Sequence, residues 1–171
     1  MDRWHRRSIR LAGYDYAQPG AYFVTICTQG RECSLGKARD GSVDLSHHGE
    51  IVQRAWNSLP EHYPHVGVDA FVIMPNHIHG VIVLSEAMED SGAQRTGRLS
   101  TRHGLPEIVR AFKSFSARRA NELNATPGAR VWQRNYYEHI IRDERELNLI
   151  REYVVNNPLG WDTDPENPAV R

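Results

Sequence analysis

Apolar and polar positions fall into clearly separated blocks along the chain. Ala21-Tyr22-Phe23-Val24-Thr25-Ile26-Cys27-Thr28 is dense in aromatic and β-branched side chains and predicts a first strand. Gly30 to Asp44 mixes charges with glycines, as a loop or short hairpin would. Ile51, Val52, Ala55, Trp56 and Leu59 then recur at helical spacing, with Pro60 as the stop and His47-His48 left in the preceding loop. Val66 to Met74 predicts a second strand and residues 77–84 a third. Pro75-Asn76 between them reads as a turn, so the two strands pair as an antiparallel hairpin.

The pattern lapses over residues 85–104, where acids, serines and glycines predict a mobile loop. A second helix follows at about 105–124, with Ile108, Phe112, Phe115 and Leu123 as its apolar stripe. Pro127-Gly128 is a turn, and Val131 to Ile141 predicts a last strand. A third helix runs from about Asp143 to Asn156. Asp143 and Glu146 make a start like a capping box. Leu147, Ile150 and Val154 form its buried stripe, and Pro158 ends it. The order β-α-β-β-α-β with an added C-terminal helix is the α+β, ferredoxin-like plan: an antiparallel sheet with helices on one face. One domain over residues 1–161 is expected. Residues 162–171, with three acids and two prolines, are expected to be a disordered tail.

The 171 residues suffice for one hydrophobic core. Formal net charge is zero, so the total does not argue for a nucleic-acid partner; the distribution says more. Of 21 basic residues only Lys37 and Lys113 are lysines, and arginine is favoured for bidentate contact with phosphate or carboxylate. Basic tracts run from Arg3 to Arg10 and from Arg95 to Arg119. On the second helix Arg110, Lys113, Arg118 and Arg119 fit phosphate contact and a solvated face about equally well. Trp4, Tyr14 and Tyr16 among the N-terminal arginines could stack on unpaired bases or pack the segment onto the domain. Cys27 and Cys33 match no metal knuckle or redox motif and read as reduced thiols of a cytoplasmic protein. No apolar run approaches membrane-spanning length.

His77-Ile78-His79 opens the third strand. Side chains alternate along a strand, so His77 and His79 project from one face like two prongs. The turn before them should leave the first prong open to solvent. Imidazole is the commonest protein metal ligand, yet two strand histidines alone are a weak signal. Tyr153 and Asn157 share a face of the last helix, four residues apart. On pattern alone they are a core-edge residue and a C-cap. Tyr136 and Tyr137, adjacent on a strand, should face opposite sides, one toward the core. His139 reads as a satisfied histidine rather than a ligand.

Three stretches in this order carry a resemblance. They are Met74-Pro75-Asn76-His77-Ile78-His79, then Val131-Trp132-Gln133-Arg134-Asn135-Tyr136-Tyr137-Glu138-His139-Ile140-Ile141-Arg142, then Ile150-Arg151-Glu152-Tyr153-Val154-Val155-Asn156-Asn157-Pro158. With Arg10-Leu11, Tyr14-Asp15-Tyr16 and Gly20 to Thr25 before them, they resemble the REP-associated tyrosine transposases. That family lies in the single-strand transposase superfamily of HUH endonucleases. The resemblance covers about residues 5–161. It implies His77 and His79 as ligands of a divalent metal, Tyr153 as nucleophile, and Asn157 as the polar residue completing the metal site.

The implied activity is a metal-dependent endonuclease and strand transferase on single-stranded or hairpin DNA, working through a covalent 5′-phosphotyrosine. Mg²⁺ or Mn²⁺ suits such a site. The implied setting is the nucleoid, as monomer or homodimer, with no membrane partner. Two rivals stay open at this point. One is a non-catalytic nucleic-acid-binding protein of the same fold; the other is a metal-dependent hydrolase that uses water.

Overall fold

The computed structural model describes residues 10–86 and 103–170. Its centre is a four-stranded antiparallel sheet in the order β4-β5-β1-β6. The strands are β1 (Gly20–Cys27), β4 (Val66–Met74), β5 (His77–Leu84) and β6 (Tyr137–Ile141). The fold is α+β and ferredoxin-like, as expected. β4 and β5 form the expected hairpin, with Met74 opposite His77. β1 lies between β5 and β6, so Thr25 faces His79 and also Tyr137 across the ladder.

Alternation along the strands gives the sheet two different faces. Tyr22, Val24 and Ile26 of β1, with Ile78 and Ile82 of β5, point into the larger core. Helices α1 (His47–Asn57) and α3 (Leu105–Asn124) close this core through Val52, Trp56, Ile108 and Phe112. Phe23 and Val81 point the other way and meet Val154 of α4 (Glu144–Asn156), with Leu147 and Ile150 packed beside them. The sheet therefore carries α1 and α3 on one face and the C-terminal helix on the other. Gly80 is required where α1 presses on β5. A Cβ there would stand 2.4 Å from the Trp56 indole, which stacks on Phe71 at 4.5 Å between ring centroids.

The charged stretch after β1 resolves into a small hairpin, β2 (Gly36–Arg39) and β3 (Ser42–Leu45). Asp40 and Gly41 both have positive φ at its tip, the tight turn that matches strand twist. Helix α1 starts earlier than its apolar spacing suggests. The Ser46 side chain accepts from the Gly49 amide, so His47 and His48 lie in the first turn and not in a loop. Pro60 falls in the first turn of α2 (Leu59–His62), a separate short helix.

The buried stripe of α3 is Leu105, Ile108, Val109, Phe112, Ser116 and Ala120; Phe115 and Leu123 are exposed. Ser116 is tolerated there because its hydroxyl accepts from the Trp132 indole at 2.9 Å and donates to the Phe112 carbonyl at 2.8 Å. Residues 131–133 pair with the end of β1, the Gln29 amide donating to the Val131 carbonyl at 2.8 Å and the Gln133 amide to the Cys27 carbonyl at 2.9 Å, but the ladder is interrupted before Tyr137 meets Thr25, so β6 forms only from Tyr137 instead of Val131. The expected loop at 85–104 lies mostly outside the described residues.

Asp143 caps α4 as its sequence suggests, its carboxylate accepting from the Glu146 amide at 2.8 Å. The segment beyond α4 departs from expectation. Residues 157–163 form a 3-10 turn, and Asn167 is buried. The Glu166 carbonyl accepts from the Asn76 side chain, and the Glu166 carboxylate pairs with Arg31. The acids and prolines suggested disorder, but polar side chains of the domain itself hold this stretch down.

Candidate active site

β5 supplies His77 and His79 to the face that α4 covers. Their Nε2 atoms stand 3.1 Å apart. Asn76 fixes the first ring. Its amide donates to the carbonyls of Arg31 (3.2 Å) and Glu166 (2.8 Å), so its oxygen faces His77 and accepts from Nδ1–H at 2.9 Å. The His77 Nε2 lone pair is thereby turned inward. The second ring is held by Thr25, whose hydroxyl lies 2.8 Å from His79 Nδ1. Phe23 stacks on His79 with centroids 5.5 Å apart.

Neither histidine is open to solvent. His77 is 1 % exposed and His79 6 %. The turn was expected to leave His77 accessible; instead the Trp161 ring lies 6.3 Å from it, centroid to centroid. Burial holds both imidazoles well below their ordinary pKa, and the Asp164 carboxylate draws His77 partly back up. Both rings are neutral at pH 7, the form that ligates a cation.

Tyr153 comes from α4 and is half exposed. Its phenol oxygen lies 3.3 Å from His79 Nε2. Burial raises the phenol pKa, Asn157 lowers it by a hydrogen bond, and Asp164 raises it. Asn157 follows α4 directly; it is buried, and its Oδ1 finds no hydrogen-bond partner among the described residues. A cleft of about 480 Å³ opens beside these groups, lined by Tyr153, Asn157, Glu152 and Asp164 among others.

The residues present fit a divalent ion. Two nitrogens each about 2.1 Å from one ion and at right angles to each other lie about 3 Å apart, close to the observed separation. The orphaned Asn157 oxygen adds a neutral hard donor. Among the described residues no further His, Cys, Asp or Glu joins the two histidines closely enough to share an ion. A third ligand from the protein must therefore be of another type, as Asn157 is.

The sequence-derived DNA set lies elsewhere. Arg110, Lys113, Arg118 and Arg119 are on α3, across the sheet from the histidines. Arg110 pairs with Glu107 and Arg119 with Glu122, and the Arg118 guanidinium sits 5.8 Å from the Phe115 ring centroid. Lys113 is structural: its ammonium donates to the carbonyls of Gln133 and Arg134. Tyr16 is buried and Tyr14 reaches the Tyr22 hydroxyl, so both pack the N-terminal segment; Trp4 lies outside the described residues. Tyr136 packs against the core while Tyr137 is exposed, as alternation requires. His139 binds Glu146 at 2.6 Å and is a satisfied histidine.

Sequence reasoning missed Thr25, Asn76, Trp161 and Asp164. Asn76 was legible as a turn residue only. Thr25 could have been found by carrying the β1–β5 register down to His79. Nothing local marks Trp161 or Asp164.

No family model matches the chain. A Haemophilus influenzae protein of uncharacterised function is 41% identical over 170 residues, spanning 94% of this chain and 92% of its own length. A second Haemophilus influenzae protein, assigned to the REP-associated tyrosine transposases, is 31% identical over 145 residues, 85% of this chain and 73% of its own length. A REP-associated tyrosine transposase solved bound to a REP hairpin has the same fold, with TM-score 0.51 at 20% identity over 93% of this chain and 73% of that one. A Deinococcus radiodurans protein described as a transposase matches with TM-score 0.51 at 18% identity, over 86% and 95%. The chain belongs to the REP-associated tyrosine transposases.

Proposed function

We propose that the protein cleaves and rejoins single-stranded or hairpin DNA through a covalent 5′-phosphotyrosine on Tyr153, with Mg²⁺ or Mn²⁺ held by His77, His79 and Asn157. The observation that carries this reading is the convergence of the Tyr153 hydroxyl and two inward-facing Nε2 atoms through contacts of 3.1 and 3.3 Å, beside a cleft that Tyr153 and Asn157 line. A divalent ion there would act as Lewis acid on a non-bridging phosphate oxygen and favour the phenolate.

The chain's own groups do the rest. Tyr153 supplies the attacking oxygen from a fixed helix, so its approach to phosphorus is set by the fold. The bond from Tyr153 Oη to phosphorus forms as the bond from phosphorus to the 3′-oxygen breaks; the phenol proton passes to water in the open cleft, and the departing 3′-oxygen takes a proton from that water. The 5′-phosphate stays on Tyr153 and a free 3′-hydroxyl leaves. Attack by a 3′-hydroxyl on the phosphotyrosine reverses the step and joins strands without ATP. Asn76 and Thr25 orient the imidazoles throughout.

Hairpin DNA is the favoured substrate, since a relative of the same fold is solved with a REP hairpin bound. Arg10, Arg110 and Arg134 line a cleft of about 360 Å³ on the α3 side, suited to the phosphates of the duplex stem. The single-stranded end would then pass around the β6 edge to Tyr153. The test is incubation of labelled hairpins and single strands with Mn²⁺, followed by denaturing gels. A covalent protein–DNA adduct with a free 3′-hydroxyl product is expected. Cleavage without an adduct would favour water as the nucleophile, and binding without cleavage a non-catalytic role.

A further inference from the structure

One charged group in the Tyr153 cleft has no part in the steps above. Asp164 lines the cleft with Tyr153, Asn157 and Thr163. It closes the turn that carries Trp161 over His77: its amide donates to the Trp161 carbonyl at 3.1 Å. One carboxylate oxygen accepts from the Glu166 amide at 2.7 Å. It shares that cleft with the Tyr153 phenol and with Asn157, whose buried Oδ1 has no hydrogen-bond partner among the described residues. It is nevertheless too far from the two histidines to share an ion with them directly.

We propose that Asp164 is the outer-sphere anion of the divalent-ion site, its free carboxylate oxygen accepting hydrogen bonds from water on the ion. The inference rests on the reading that His77, His79 and Asn157 hold that ion. Two imidazoles and one amide are all neutral, so the inner donors leave the ion's full charge in a largely buried site. A carboxylate one water away offsets it without occupying a position that substrate oxygens need. Outer partners of this kind typically change metal affinity by about 10–100-fold. The C-terminal segment thereby contributes to the site through its fold and not through a direct ligand.

The competing explanation is that Asp164 only shapes its turn, and two variants separate the two roles. Asp164→Asn keeps an oxygen for the Glu166 amide and removes the charge. Asp164→Glu keeps the charge and lengthens the side chain, disturbing the turn. Mn²⁺ affinity is measured calorimetrically on the full chain without DNA, with thermal melts in EDTA alongside. Asp164→Asn is expected to weaken Mn²⁺ binding about tenfold or more, with an unchanged melt in EDTA. Asp164→Glu should stay within a few-fold of wild type, and Asp162→Asn, an exposed acid two residues away, should match it. Equal losses in Asp164→Asn and Asp164→Glu would assign the effect to the turn and overturn the proposal. Unchanged affinity in Asp164→Asn, with binding abolished in His79→Ala, would overturn it while leaving the ion site standing. Mn²⁺ binding that survives His79→Ala, or is absent from wild type, would remove the ion site and this role with it.

Discussion

The Tyr153 phenol oxygen lies 3.3 Å from His79 Nε2, although 74 residues separate them in the chain. Two ties bring α4 to that position. Arg151 grips Asp69 with two hydrogen bonds of 2.9 and 2.8 Å, and His139 binds Glu146 at 2.6 Å. Asp69 can be reached because it follows Val68, which packs on the α1/α3 core, so strand alternation turns Asp69 to the α4 face; the irregularity of β4 between Val68 and Phe71 brings Ala70 to that face as well. Phe23 fills the space between, edge-on to Tyr153 and stacked on His79. The tyrosine helix is thus docked on the sheet of its own chain and faces its own histidines.

His77→Ala and His79→Ala should each abolish Mn²⁺-dependent cleavage. Hairpin affinity should stay within a few-fold of wild type, because on the proposed reading the phosphate contacts that would supply most of it lie on the other side of the sheet. Paired binding and cleavage titrations check this. A mutant that still cleaves at the wild-type rate would remove the metal assignment.

The α4 clamp makes a pH-dependent contribution to stability whose sign follows from Asp69. Arg151 holds the Asp69 carboxyl below its ordinary 3.8 in the folded state. A depressed folded-state pKa stabilises above the unfolded value, and the gain is lost as pH falls through the folded one. Arg151→Met should therefore melt lower than wild type at pH 5–7. The gap should close as pH drops below 3.8 toward the folded-state value. Both partners are substantially exposed, so the effect is modest. Cleavage should suffer more than stability, since a loosened α4 misplaces Tyr153; a gap that persisted unchanged at the lowest pH would assign it to packing instead.

Much of this arrangement could be read from the chain, and the remainder has physical reasons. Strand alternation placed His77 and His79 on one face, and helical spacing placed Tyr153 beside the buried stripe of α4. Asp143 signalled the start of α4 because capping is local. His77's burial was not legible, since Trp161 reaches it through a segment whose composition argues for disorder. Lys113 looked like a phosphate ligand because sequence shows its charge and not the two carbonyls that occupy it. Phe115 and Leu123 looked like core because helix periodicity gives a face, while the partner element decides how wide that face is.

Arg110 and Lys113 should therefore behave differently. Arg110→Glu should weaken binding to hairpins of any sequence, more at low salt than at high, as expected for a phosphate contact. Lys113→Met should leave the Gln133 and Arg134 carbonyls without their donor and destabilise the fold by about 1–3 kcal/mol, visible as a lower denaturation midpoint. Equal losses of hairpin affinity in both, with no change in stability for Lys113→Met, would return Lys113 to the DNA surface.

Tyr153→Phe tests the nucleophile most directly. The change removes one oxygen and keeps the ring that packs edge-on against Phe23 and beside His79. No buried volume is lost, so stability should shift by less than about 1 kcal/mol. Covalent adduct and strand joining should both disappear, with Mn²⁺ and hairpin binding retained. The strongest internal competitor is Tyr137, which lies on the same face and touches Phe23 with centroids 6.4 Å apart. It sits on the β6 ladder opposite Thr25, whereas the Tyr153 phenol reaches His79 Nε2 at 3.3 Å. Tyr137→Phe should therefore remain active, as should Tyr136→Phe on the opposite face. Mass spectrometry of protein trapped on a cleaved oligonucleotide should find the nucleotide on the peptide containing Tyr153. A modified Tyr137, or joining undiminished in Tyr153→Phe, would move the chemistry from α4 to β6.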